Sequence, residues 1–155
     1  MIRKKIFLFG SSGHLGSFLK KALIKSNLEV YCANKNDVTN ILNDNFDADD
    51  FCNAYLLNVI GIVGLINSSV FKDNLFNINS NFPLKLSLIC RNSNSKLIHI
   101  SSNSIFDNCS SRFRDINEPP NPKTDYGISK LKAEQHIVNN LELTKYLILR
   151  TPQHY

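Results

Sequence analysis

The sequence predicts an α/β fold, a doubly wound parallel sheet with helices on both faces, and three observations carry that expectation. Apolar runs of four to eight residues alternate with longer amphipathic segments, the pattern of strands buried on both faces and joined by crossover helices. The first run, Lys5-Ile6-Phe7-Leu8-Phe9, opens straight into Gly10-x-x-Gly13-x-x-Gly16. With 155 residues, 43% hydrophobic and 20% charged, the chain suits about one domain with a real core.

The elements follow in order. After the strand Lys5–Phe9 and its glycines, apolar residues at helical spacing predict a helix over His14–Lys25. A second strand is expected at Glu29–Ala33, followed by a polar loop, Asn34-Lys35-Asn36-Asp37. A third strand is expected over 54–60 and a helix over 71–90, interrupted or started late around Pro83. A fourth strand covers 96–101. Segment 107–125, with Asp107-Asn108, Pro119-Pro120 and Pro122, holds too many breakers for a helix or central strand. It is expected to be a loop that wraps toward a site. A helix over 126–140 and a strand over 146–150 complete the set.

The glycines meet a physical need at a strand-to-helix turn: a tight bend, a backbone that can approach a pyrophosphate, and close packing of helix on strand. The helix N-terminus then faces the anion. The glycines therefore predict a Rossmann-type dinucleotide site, for NADP or NAD. An acidic residue about 20 positions on would hold the ribose hydroxyls, yet the second strand ends in Ala33-Asn34-Lys35. Lys35 could meet a 2′-phosphate or be a solvated lysine, so the choice of cofactor stays open.

Ligands in such sheets sit beyond the carboxyl ends of the strands, where Gly10, Asn58, Ser101 and Ser102 fall. Farther on, Tyr126 and Lys130 are spaced i, i+4 and so share one helix face. The ammonium is expected to lower the phenol's pKa and make Tyr126 a general acid or base. Lys130 could also bond the nicotinamide ribose. Ser102 could donate to a carbonyl oxygen as negative charge develops there.

Other classes are disfavoured. The net charge of +5 is spread without a basic cluster interleaved with aromatics, so no nucleic-acid partner is expected. No apolar run approaches the roughly 20 residues of a membrane span, and the basic Met1-Ile2-Arg3-Lys4-Lys5 leads to no cleavable signal. A soluble cytoplasmic protein without membrane partners is expected. Cys32, Cys52, Cys90 and Cys109 lack the close pairing of a metal or redox site. Asp115, Glu118 and Asp125 are expected to serve turns and caps.

Taken together, Gly10-x-x-Gly13-x-Leu15-Gly16, Asp37-Val38-Thr39, Asn58-Val59-Ile60-Gly61, Asn79 four before Pro83, His99-Ile100-Ser101-Ser102 through Asp107, Tyr126-x-x-x-Lys130-x-x-x-Glu134 and Leu149-Arg150-Thr151 resemble the extended short-chain dehydrogenases/reductases. This is the NAD-dependent epimerase/dehydratase superfamily, and the likeness is greatest to its dTDP-4-dehydrorhamnose reductase group, the RmlD-like substrate-binding family. The resemblance implies a nucleotide-sugar oxidoreductase of polysaccharide biosynthesis with Ser102, Tyr126 and Lys130 as the catalytic set. It places Gly10, Gly13, His14, Leu15, Gly16, Asp37, Val38, Val59, Ile60, Gly61, Tyr126 and Lys130 along the cofactor. His14 stands where the family often has glutamine; it borders the pyrophosphate or is a polar loop residue.

Departures from the family pattern shape the remaining expectations. Ser104 replaces an aromatic that would face the sugar, and Pro152-Gln153-His154-Tyr155 stands where a tryptophan is common. Residues 1–155 are expected to be a single cofactor domain, with the C-terminal substrate domain absent and little activity from the chain alone. A homo-oligomer, or a chain supplying the missing half, would then be its partner. An epimerase or dehydratase, or a non-catalytic dinucleotide-binding module, are the alternatives to a reductase of a 4-keto-deoxy nucleotide sugar.

Overall fold

The structure, a computed structural model, describes residues 5–63, 69–106 and 117–152. Its strands are β1 (Lys5–Phe9), β2 (Glu29–Ala33), β3 (Tyr55–Asn58), β4 (Lys96–Ser102) and β5 (Tyr146–Thr151). They pair in parallel in the order β2-β1-β3-β4-β5. The helices are α1 (His14–Lys25), α2 (Lys35–Leu42), α3 (Ser69–Phe76), α4 (Phe82–Asn92) and α5 (Asp125–Asn140). The order of β2, β1 and β3 reverses direction at β1, so the glycine turn leaves the sheet at the switch point where ligands bind.

Alternation along the strands sorts side chains between two faces. Phe9, Leu56 and Leu97 meet Phe82, Leu86 and Ile89 of α4, Ile137 of α5 and Val38 and Ile41 of α2 in one core. The Phe9 and Phe82 rings pack edge-on, 5.4 Å between centroids. Burying each large side chain of this set is worth about 1.5–3 kcal/mol. Ile6, Tyr55, Leu57 and Ile98 point the other way and, with Leu23 of α1 and Leu28, line an apolar hollow of about 430 Å³. On edge strand β5 the outward Leu147 and Leu149 stay 49% and 42% exposed.

Two departures from the sequence expectations have local causes. The predicted loop after β2 is a helix, because Asn34 accepts from the Asn36 and Asp37 amides while Asp37 accepts from Asn34 N, a reciprocal capping box. The 71–90 helix is interrupted just before Pro83, as expected, by a π-helical turn over Asn77–Asn81. Strand β3 stops at Asn58, whose side chain takes the Ile60 amide out of the ladder. A short 3₁₀ turn, Ala48–Phe51, was not foreseen either. The predicted wrapping loop falls largely on 107–116, outside the described residues, together with Cys109 and Asp115.

Helix α5 is capped by the Thr124 hydroxyl, which accepts from Gly127 N at 3.0 Å. Asp125 lies in the first turn, where a carboxylate offsets the helix dipole, and pairs with Lys72 at 3.1 Å. Among the described residues no helix is long and apolar enough to cross a membrane.

Candidate active site

The three loop glycines have separate reasons to be glycine. Gly10 has φ +94°, and its missing Cβ would lie 3.0–3.1 Å from Ile60 and Val59 atoms. A Cβ on Gly16 would lie 1.9 Å from Gly10 O, so α1 could not sit on the turn with any larger residue there. Gly13 is different. It caps α1 in extended conformation, and a Cβ there would meet only Gly10 O, at 3.5 Å. Among the described residues no atom demands a glycine at this position, which leaves room for an incoming group.

Helix α1 supplies the matching electrostatics. Its N-cap offers no side-chain oxygen and its first turn holds no acid, so the helix itself supplies nothing to cap its leading N–H groups or offset its positive dipole end. A pyrophosphate would match that helix end in charge and in hydrogen-bonding capacity.

Two hollows, of about 960 and 610 Å³, share Val59, Ile60 and Gly61 as a common wall. Gly10, Gly13, Asn34, Lys35 and Val38 line the smaller. His14, Leu15, Ser102, Tyr126 and Lys130 line the larger. Of the residues expected to follow the cofactor, Gly16 packs behind the loop. Asp37 is turned away: its carboxylate serves the capping box, accepts from Tyr31 Oη at 3.3 Å and borders a separate hollow of about 350 Å³.

Tyr126, Lys130 and Ser102 converge across α5 and the end of β4. Helix α5 can approach because Gly127 leaves space, its absent Cβ being 2.2 Å from Ser104 O. Ser102 donates to Ser104 Oγ and accepts from Ser104 N, both at 3.1 Å. A surface Tyr–Lys pair would leave the ammonium in water, whereas Lys130 is 2% exposed and donates to Ile100 O at 2.6 Å.

The protonation chemistry corrects one expectation. Burial pushes the Tyr126 phenol above its ordinary pKa, against a smaller downward pull from the Ser102 hydroxyl. Lys130 does not set this shift in the predicted sense; its ammonium donates to Ile100 O, and burial brings its own pKa down to about 8, opposed by Glu134. A raised phenol holds its proton through neutral pH, which suits an acid.

Two asparagines that sequence reasoning did not single out for this role hold the common wall. Asn79, fully buried in the π turn, accepts from Ile62 N at 2.8 Å and donates to Ile62 O at 2.9 Å and to Ser129 Oγ at 3.2 Å. Ser129 in turn donates to Tyr126 O at 2.7 Å. Asn58 holds Ile60. The residue spacing before Pro83 marked Asn79, but only the fold shows that a π turn aims it inward.

The sequence model of the RmlD substrate binding domain matches residues 4–155. The chain belongs to that family. No curated protein matches it. Among solved structures it is similar to a dTDP-4-dehydrorhamnose reductase from Clostridium acetobutylicum, with 25% identity and TM-score 0.81, over 94% of this chain and 52% of that one. The corresponding reductase from Bacillus anthracis, solved in complex with NADP, gives 19% identity and TM-score 0.83 over 98% and 54%. A short-chain dehydrogenase/reductase superfamily protein from Agrobacterium tumefaciens with bound NAD gives 19% and 0.74 over 94% and 48%. The chain thus spans about half the length of these proteins.

Proposed function

We propose that these residues form the cofactor-binding and proton-delivering half of an NAD(P)-dependent reductase acting on a 4-keto-deoxy nucleotide sugar. The observation that carries this is the single wall, Val59 to Gly61, shared by the hollow at the glycine turn and the one holding Ser102, Tyr126 and Lys130. Support for a longer whole comes from the solved reductases, of which the chain spans about half. The sugar-binding surface is assigned to a substrate domain beyond residue 155, or to a partner chain.

Bound NADPH or NADH would supply the hydride. The protein's own part is to seat the pyrophosphate on the α1 N-terminus, against Gly13, His14 and Leu15, with the adenosine end toward Val38. Lys35, at the head of α2 in the same hollow, is the residue placed to favour a 2′-phosphate. Tyr126 then gives its proton to the sugar oxygen, with the Ser102 hydroxyl turning from Ser104 Oγ to donate to the same oxygen as charge builds on it. Lys130 is the cation beside them.

The test follows the absorbance of the reduced nicotinamide when several 4-keto nucleotide sugars are added. It uses the chain alone and the chain joined to the C-terminal half of a dTDP-4-dehydrorhamnose reductase. Oxidation that requires Tyr126 supports the reading. A folded, cofactor-bound hybrid that reduces none of the sugars would remove it.

A further inference from the structure

Among the described residues the buried side-chain atoms without a hydrogen-bond partner are His99 Nε2 and Ser101 Oγ. They stand on alternate residues of β4, hence on one face of the sheet. The other ring nitrogen of His99 is engaged. Asn58 and His99 are directly opposite each other on β3 and β4, and Asn58 Nδ2 lies 3.1 Å from His99 Nδ1.

The polarity of this contact is fixed from the backbone outward. Ile60 N–H can only donate, and it donates to Asn58 Oδ1 at 3.1 Å. That identifies the oxygen end of the amide, so the end facing His99 is the NH₂ group, which is also only a donor. His99 Nδ1 must therefore be the bare, accepting nitrogen, and a neutral ring in that state carries its proton on Nε2. Full burial, and behind it the Lys130 charge, keep the ring neutral.

What this contact restrains is the cofactor wall. Ile60 and Val59 are the residues against which Gly10 turns, with Ile60 N and Cγ1 and Val59 Cγ2 at 3.0–3.1 Å from where a Gly10 Cβ would be. Asn79 pins the same segment farther along, at Ile62. Releasing Asn58 would free Ile60 and loosen the seat of the glycine turn.

We propose that His99 is a positioning residue: in its Nε2-protonated tautomer it orients Asn58, and through Asn58 it holds Val59–Ile60 in register with the glycine turn for the dinucleotide. This rests on the cofactor reading given above. It assigns His99 no contact with cofactor or substrate.

The tautomer is read directly by long-range ¹H–¹⁵N correlation spectra of the wild-type protein at neutral pH, with His99 expected to show a bare Nδ1 and a protonated Nε2. A proton on Nδ1 would overturn the proposal, whatever the variants do. The function is read by NADPH titration of three variants whose fold is checked by circular dichroism. His99→Asn keeps an acceptor at the δ position, His99→Gln keeps a polar end only at the ε position, and His99→Leu keeps neither.

His99→Asn should bind within about twofold of wild type, while His99→Gln and His99→Leu should weaken binding about three- to tenfold, the worth of one net hydrogen bond. Normal binding by the folded Leu variant, or an Asn variant no better than Leu, would overturn the positioning role alone. A wild-type protein that binds neither NADPH nor NADH would instead overturn the cofactor reading and take the role with it, leaving only the tautomer.

Discussion

Replacing Gly16 by alanine separates the glycine that builds the turn from the glycine that leaves room for a ligand. The added methyl would stand 1.9 Å from Gly10 O, 2.7 Å from Gly10 C and 3.0 Å from Ser11 Cα, so the turn and α1 would have to part by more than about 1 Å to reach ordinary contact. Gly10 cannot yield easily. Its φ of +94° is held by Val59 and Ile60 on its far side.

Overpacking of a rigid site costs about 1–3 kcal/mol and occasionally more, and an all-backbone clash belongs at the upper end. At about 2–4 °C per kcal/mol for a domain of this size, Gly16→Ala should lower Tm by roughly 6–12 °C. Gly13→Ala, whose methyl meets only Gly10 O at 3.5 Å, should change stability by less than about 1 kcal/mol, since lost cap preference and reduced unfolded-state entropy oppose each other. Thermal and urea unfolding followed by circular dichroism measure both. A Gly16→Ala protein as stable as wild type would refute the packing account of the turn.

Three further outcomes are expected. Tyr126→Phe should lower turnover of the active hybrid by about 10²-fold or more, the usual worth of a general acid, with cofactor binding within a few-fold; unchanged steady-state kinetics would remove Tyr126 from the chemistry. Lys130 has a folded pKa of about 8 against an ordinary 10.5, so the unfolded chain holds the extra proton between those values and stability should rise with pH across that window. The gain is at most about 3 kcal/mol, and the destabilising cost is present in full below about pH 8. Cys90, pushed up to about 12 by burial, acts in the opposite sense above about pH 9, so the comparison is urea unfolding of wild type against Lys130→Met; parallel pH profiles would contradict the buried ammonium. Asn79→Leu should destabilise the chain by about 2–4 kcal/mol, because it strips partners from both Ile62 N and Ile62 O, and denaturant midpoints would show it.

Much of the fold was legible because its signals are local. The run Lys5–Phe9, the glycines behind it and the apolar spacing of His14–Lys25 each carry their own periodicity, and all three stand where expected. Helix α2 was hidden because a capping box is written in polar residues: Asn34 and Asp37 look like loop chemistry until the backbone between them is seen to turn. The same commitment takes Asp37 away from the cofactor hollows. At the candidate site, residue types and spacing single out Ser102, Tyr126 and Lys130, and the three line one hollow. The direction of the Tyr126 shift was not legible, since it is set by burial of the phenol in the packed fold, and the Lys130 ammonium donates to Ile100 O, thirty residues away on another element. The roles of Asn58, Asn79 and His99 likewise depend on pairings across β3, β4 and the π turn that no short sequence window contains.

Isothermal titration calorimetry of the purified chain measures whether the turn from Gly10 to Gly16 and the wall from Val59 to Gly61 seat a dinucleotide. NADPH and NADH are each titrated into wild type and into Gly13→Val, a substitution that the extended backbone at Gly13 accommodates. Saturable one-to-one binding of at least one cofactor to wild type, lost in a Gly13→Val protein of unchanged circular dichroism, is the predicted result. A folded wild-type chain indifferent to both cofactors, or a Gly13→Val chain that binds as tightly as wild type, would contradict it.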